Sequence, residues 1–598
     1  MKKMFSYLKP YWFLAIISPI MMMAEVAADL ALPNFMKYIV NYGIEGISIT
    51  DPEQGSSLAA GIMRFIFGEN YNQVNIIVTF GITMLIITLL GGFFGMFCAY
   101  TAATAAHGLG YDLRRDAYGK VMSLSIEQTD KFTTGSLITR MTNDISIVVD
   151  FFEMIMRGFV RAPMFIIGGT FMIVMLNLKF TTVLLCAVPA LLIVVVSVLI
   201  RVTPVYSRIQ QRLDRVNSVV GENISGARVV KAFVREDYEC DRFDGANKAL
   251  YKENLSALTT MAIISPILTI IMNFSIMAVI YIGGFNISIE NAGMSTGDIM
   301  AAITYITQVI FSVMMATNIF QSIIRASASA KRVNEVLSTN PVIMGGVKSA
   351  GADATAISFR NVNFRYPAAH GRPVLKNINL DVKRGETLAI IGSTGCGKST
   401  LMRIMLGFEK PQKGAVYYDG KDLSGIDLKS LRRKIGVVMQ NGKLFQGDIY
   451  SNIVISAPQL SMDEAWAAAE MSGIAEDIRR MPMGMHTMIS EGSGGISGGQ
   501  RQRIMIARAI APKPKIIMLD EATSALDNTT EVLIQGALDE LCRGRTTLVV
   551  AHRLSTIRGA DEIAVVEGGR ITERGTHEEL IARGGVYKQL YALQFRED

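Results

Sequence analysis

Cysteine, histidine and charge are all scarce in this chain. Its 598 residues hold 5 Cys and 5 His, and only 19% are Asp, Glu, Lys or Arg. The cysteines are odd in number and nowhere spaced as CxxC or CxxH, so neither a disulfide framework nor a zinc site is expected. His107, His370, His486 and His577 form no metal-like grouping. Low charge beside 50% hydrophobic residues excludes a disordered chain and a collagen-like fibre. A mean hydropathy of +0.32 points instead to a membrane protein diluted by a soluble part. The net charge of +7 raises nucleic acid as a partner, but the basic residues are spread over loops without interleaved aromatics, and none is expected.

What the chain has is long apolar runs, and they stop abruptly. A bilayer takes ~20 helical residues to cross. Runs of that length fall at about 11–32, 74–104, 151–176, 180–200, 257–285 and 299–324. Residues 1–335 are therefore expected to form a six-helix membrane domain. A linker follows over 336–356, where STNPVIMGGVKSAGADATA carries Gly, Ala, Ser and Pro without periodicity. Residues 357–598 alternate short β-rich runs with amphipathic helices, the pattern of a parallel α/β domain.

Loop charge sets the orientation. Segment 44–73 carries Glu45, Asp51, Glu53 and Glu69 against Arg64, whereas 106–148 carries Arg114, Arg115, Lys120, Lys131 and Arg140, and 201–256 is also basic. The N-terminus, both long polar loops and the C-terminal domain are thus expected in the cytoplasm, a parity that six spans satisfy. A short interfacial helix is expected around Met4–Trp12. Both loops keep helical periodicity, as in Leu113, Ala117, Lys120, Val121 and Leu124, which predicts helices running on past the bilayer as stalks.

The chemistry lies in the C-terminal half. TLAIIGSTGCGKST (387–400) reads as a buried strand, a glycine loop and a helix start, and fits G-x-x-x-x-G-K-S. The loop and helix start comprise Gly392, Ser393, Thr394, Gly395, Cys396, Gly397, Lys398, Ser399 and Thr400. Glycines let successive N–H groups curl round a phosphate, Lys398 neutralises its oxygens, and the Ser399 hydroxyl suits Mg²⁺. IIMLDE (516–521) would end a strand with Asp520 near the metal and Glu521 beside the terminal phosphate, placed as general base for an attacking water. Further on stand Ile496-Ser497-Gly498-Gly499-Gln500, then Ser524-Ala525-Leu526-Asp527, and His552 after the run TTLVVA.

Together these segments resemble the ATP-binding cassette (ABC) family over essentially all of 357–598. The resemblance implies ATP and Mg²⁺ as ligands and a P-loop NTPase fold. It implies that Tyr366 stacks on adenine and that Gln440 contacts Mg²⁺ and the membrane-domain interface. Ser497 and Gly499, with the rest of the Ser497–Gln500 segment, would hold the γ-phosphate bound by a partner chain. Asp527 would tune the dimer contact, and His552 would bond the γ-phosphate. Ile496 departs from the family's usual Leu, which is expected to alter packing rather than remove the site. The N-terminal half resembles the six-helix domain of ABC exporters through GSLITRMTNDI (135–145) and ENISGARVVKAFVRED (222–237). Short transverse helices that dock on the cassettes are then implied near Ser125–Lys131 and Ile224–Val234.

The resemblance implies a half-transporter that pairs with a second chain, as a homodimer or a heterodimer. It implies ATP-driven export or flipping of an amphipathic drug, lipid or peptide by alternating access. Import by the same fold, or a gated channel or sensor, are the alternatives. The expected place is a multi-pass position among membrane lipids, in a prokaryotic inner membrane. In the sixth span Thr304, Gln308, Ser312, Met315, Asn318, Ser322 and Arg325 recur on one helical face, expected either to line a cavity or to bond between helices. Glu25 and Asp29 are expected to face inward. Glu153, Arg157 and Arg161 share a face and are expected to form i,i+4 pairs.

Overall fold

The computed structural model describes the chain except residues 49–56, 68–71, 288–293, 344–345, 347–355, 367–372, 441, 491–494, 521–541, 543, 552–556 and 595–598. It divides into two compact units, Met1–Met122 with Gly135–Ser338, and Ser123–Thr134 with Thr339–Asp598.

The first unit is helical. Its long members are α1 (Trp12–Tyr38), α2 (Gln73–Ser123), α4 (Ile145–Leu176), α5 (Leu178–Ser225), α7 (Glu236–Ala262), α8 (Ile264–Phe285) and α9 (Thr296–Ser338), with the one-turn α6 (Ala227–Ala232) between α5 and α7. Six stretches among the described residues are long and apolar enough to cross a membrane. The helices outrun a bilayer, since α2 has 51 residues and α5 has 48, against the ~20 that a span needs. The interfacial segment is one α-helical turn, Lys2–Phe5, followed by a 3₁₀ stretch through Tyr11.

Packing follows residue size. Ala102, Ala105, Ala106 and Leu109 give α2 a small-residue face, buried in one core with Val148, Val149 and Phe152 of α4. A second core gathers α1, α4, α5, α8 and α9 around Tyr305, whose hydroxyl donates to the Leu30 carbonyl at 2.7 Å. The end of α1, a π-helical turn over Ile39–Ile44, is tied to the start of α9. Lys37 pairs with Asp298 at 2.6 Å, and Asn41 donates to Ser295 at 2.7 Å.

The second unit is built on two sheets. Its strands are β1 (Ile357–Phe364), β2 (Leu375–Val382), β3 (Thr387–Ile391), β4 (Lys413–Tyr418), β5 (Lys421–Asp422), β6 (Ile435–Val438), β7 (Gly447–Asp448), β8 (Met488–Ile489), β9 (Ile516–Asp520), β10 (Thr546–Val550), β11 (Glu562–Glu567) and β12 (Arg570–Gly575). The central sheet has the order β12-β11-β3-β10-β9-β6, parallel throughout except for the β12 edge. Each buried strand feeds both faces. On β3, Leu388 and Ile390 join one core while Ala389 and Ile391 join the other. A separate antiparallel sheet, β2-β1-β4-β5, stands beside it. The expected parallel α/β pattern holds in the central sheet, and the antiparallel sheet is added to it. Along β1 the buried positions are Ile357, Phe359, Val362 and Phe364, with a register shift between Phe359 and Val362. Helix α3 (Ile126–Phe132) belongs to this unit. A Ser125–Gln128 capping box starts it, Gln128 Nε2 donates to the Asn340 carbonyl at 2.8 Å, and Gln128 Oε1 accepts from the Val342 amide at 3.3 Å.

Candidate functional site

Strand β3 ends at the glycine loop, and α10 (Lys398–Met405) begins immediately after it. Gly397 caps α10 with φ of 111°, a conformation that side chains resist. Gly392 is needed for a different reason, because a Cβ there would stand 2.2 Å from the Val566 carbonyl oxygen. Ser393, Thr394 and Gly395 are exposed at the loop tip, while Cys396, Lys398 and Thr400 are buried. Lys398 turns its ammonium onto the loop's own backbone, donating to the carbonyls of Gly392 at 2.8 Å and Ser393 at 3.1 Å. Burial pushes the Cys396 thiol above its ordinary pKa, with the charge of Lys398 acting against this.

Ser399 Oγ donates to Asp520 Oδ1 at 3.2 Å, which joins the first turn of α10 to the end of β9. Asp520 is 8% exposed. A hydroxyl and a carboxylate oxygen side by side form the hard-donor pair that Mg²⁺ takes, so these residues fit the metal. Gln440 is exposed just beyond β6. Tyr366 lies just after β1, with its hydroxyl 3.2 Å from Thr400 Oγ1 and its ring edge-on to Phe364 at 4.8 Å.

The Ser497–Gln500 segment opens α11 (Gly498–Ile510). Ser497 and Gln500 form a capping box, with the Gln500 amide donating to Ser497 Oγ at 3.2 Å and the Ser497 amide to Gln500 Oε1 at 3.0 Å. Gly498 is exposed and Gly499 half-buried, so the positive end of α11 is presented outward. Ile496 is 8% exposed and packs into the core with Ile504 and Ala507. Glu521, Asp527 and His552 lie outside the described residues, as does the run from Ser524 to Leu526.

In the helical unit, α1, α4 and α9 line a cavity of about 490 Å³ whose walls include Asp29, Arg161, Phe165, Thr304, Gln308 and Met315. Arg161 pairs with Glu25 at 3.0 Å and Asp29 at 3.6 Å. Only half of the expected i,i+4 pairing therefore forms: Arg157 meets Glu153 at 3.3 Å, while Arg161 crosses to α1. Helical spacing along one chain segment carried no signal of that cross-helix partner. The hydroxyls of Thr304 and Ser312 bond back to carbonyls one turn earlier in α9, at 3.0 and 2.7 Å, and Gln308 Oε1 is buried without a partner among the described residues. Arg325 is exposed and donates to Ser322 Oγ at 3.2 Å, and the Asn318 side chain lies outside the described residues.

Sequence and structure comparisons agree with this layout. The model of the ABC transporter transmembrane region matches residues 15–313, and the ABC transporter model matches 375–524. An uncharacterized ABC transporter ATP-binding protein, YfiB of Bacillus subtilis (strain 168), is 34% identical over 600 residues, covering 100% of this chain and 99% of its own. An ATP-dependent lipid A-core flippase of Aromatoleum aromaticum is 32% identical, covering 100% of this chain and 96% of its own. Among solved structures, a bacterial Atm1-family ABC exporter with ATP bound superposes with a TM-score of 0.78 at 24% identity, over 98% of both chains.

Proposed function

From the premise that the chain belongs to the ABC transporters, an ATP-hydrolysing integral membrane protein with its membrane and nucleotide domains fused, we propose that it exports or flips an amphipathic cargo. The observation that carries this is the cavity between α1, α4 and α9. It sets the half-buried Asp29 and Arg161, the latter also paired with Glu25, beside Phe165, Phe311 and Met315. A polar headgroup and an apolar body each find a matching wall there. The likeness to a lipid A-core flippase supports a lipid-like cargo.

Two chains act together, because the α11 segment caps the nucleotide held by the partner's loop. Lys398 leaves the Gly392 and Ser393 carbonyls for the β- and γ-phosphates, and the loop amides supply the remaining donors. Ser399, Asp520 and Gln440 would hold Mg²⁺, which when bound would neutralise charge on the phosphates. Glu521 takes a proton from the attacking water, His552 and the partner's α11 hold the γ-phosphate, and Asp527 adjusts the contact between cassettes. Closure of the pair on ATP and its release after hydrolysis shift the helices between two states, which is alternating access. The basic loops support a cytoplasmic place for both cassettes, and the half-transporter layout supports a prokaryotic inner membrane.

In inside-out vesicles, ATP added outside should load labelled amphipathic cargo, and Glu521→Gln should abolish loading while still binding ATP. Efflux from the vesicles would reverse the assigned direction, and loading by Glu521→Gln would remove the assigned base.

A further inference from the structure

One guanidinium in the cassette unit stands between two competitors. Arg403, in the last turn of α10, has its Cζ 5.9 Å from the centroid of the Tyr366 ring. On its other side Nη2 lies 3.5 Å from Glu409 Oε1. The Glu409 side chain is 3% exposed, whereas that of Arg403 is 32% exposed. Burial raises the Glu409 carboxyl pKa. Arg403 opposes that shift, while Glu127 and Asp130 of α3 add to it. Among the described residues Arg403 is the cation paired with this carboxylate, the negative charges of α3 weaken that hold, and the Tyr366 ring is the alternative for the guanidinium.

The link to α3 is also geometric. Gln128, between Glu127 and Asp130, exchanges hydrogen bonds with Asn340 and Val342. Val342 and Glu409 line the same cavity of about 180 Å³, together with Gly407, Lys410 and Leu428. Displacing α3 therefore moves two negative charges and one cavity wall relative to Glu409. Tyr366 is anchored at its hydroxyl by Thr400 and packed edge-on against Phe364, so Arg403 acts on a ring already held at two points.

We infer that Arg403 is a positioning residue for the nucleotide, orienting the Tyr366 ring on which adenine stacks, and that Glu409 makes this orientation depend on where α3 sits. The inference rests on the adenine-stacking role proposed for Tyr366. It assigns α3 an electrostatic influence on nucleotide affinity, exerted through two side chains of its own cassette unit.

The test uses the full chain in lipid, reading ATPase KM and kcat separately. Arg403→Ala should raise KM for ATP about threefold to fivefold with kcat nearly unchanged, and Arg403→Lys, which keeps a cation over the ring, should recover part of that loss. The double change Glu127→Gln with Asp130→Asn should shift KM in the wild-type background and leave it unmoved when Glu409→Gln is also present. Equal shifts in both backgrounds would overturn the role of Glu409. Tyr366→Ala separates the two readings. If it raises KM while Arg403→Ala does not, the stacking role survives and the inference falls; if Tyr366→Ala leaves KM unchanged, the stacking role falls first. Thermal unfolding of each variant identifies any that lose KM through misfolding, and in that case Arg403→Lys and Glu409→Gln decide.

Discussion

Cys396 shows how local packing sets reactivity. It stands in the glycine loop between β3 and α10, yet its side chain is buried at 6% exposed, and burial raises its thiol pKa. Only the thiolate attacks an alkylating reagent, so a raised pKa leaves less of the reactive form at pH 7. In a chain retaining Cys396 alone, N-ethylmaleimide should react more than about tenfold slower at pH 7 than in one retaining only the exposed Cys240. Its rate should keep climbing past pH 9, the ordinary thiol value, because the folded pKa lies above it. Mass spectrometry of timed quenches reads both. A fast reaction that is flat with pH would contradict the buried thiol. The glycine loop between β3 and α10 was legible in sequence because its glycines, lysine and serine follow an apolar strand at fixed spacing. Arg161 was not, since its partners Glu25 and Asp29 stand on a different helix more than a hundred residues away. The proximity of Arg403 to Tyr366 was hidden too, because it depends on how α10 packs beside the end of β1.

Among elements, the entry to α4 carries the clearest staple. The chain passes through a π-helical turn, Arg140–Asp144, before α4 begins. Asp144 ends that turn with its side chain 1% exposed and is bonded in bidentate fashion by Arg332 of α9, whose Nε donates at 2.8 Å. Arg140 returns the tie, donating to the Arg332 carbonyl at 3.0 Å and to Glu335 at 2.8 Å. Arg332→Met strands a buried carboxylate. Its cost should be about 2–3 kcal/mol, below the usual loss for a sealed pair because the guanidinium is 48% exposed. Adding Asp144→Asn should recover part of the loss, as thermal unfolding in detergent would read. A double variant no better than Arg332→Met would place the loss in the arginine's packing rather than in the stranded charge. The long helices were legible because twenty apolar residues in a row admit few other structures. The antiparallel β2-β1-β4-β5 sheet was not, because the alternation of apolar and polar residues in β1 and β2 marks them as strands without naming their partners.

For the whole molecule the decisive matter is where one hydrolytic site is completed. Lys398 opens α10 and Ser497 caps α11, and the proposal assigns them to opposite halves of each site in a pair of chains. That division has a consequence in mixtures. Lys398→Ala removes the phosphate-binding cation from a chain, and Ser497→Arg fills the segment that should cap the partner's nucleotide. Each variant alone gives pairs with two broken sites. In a mixed pair both defects fall on one site, and the other combines an intact loop with an intact cap. Random pairing of equal amounts makes half of the pairs mixed, so ATPase activity should return to about a quarter of the unmutated level. It should rise further in pairs purified through two different tags, one per variant. Self-contained sites would leave every combination silent, and the assignment of Ser497 to the partner's nucleotide would fall with that result.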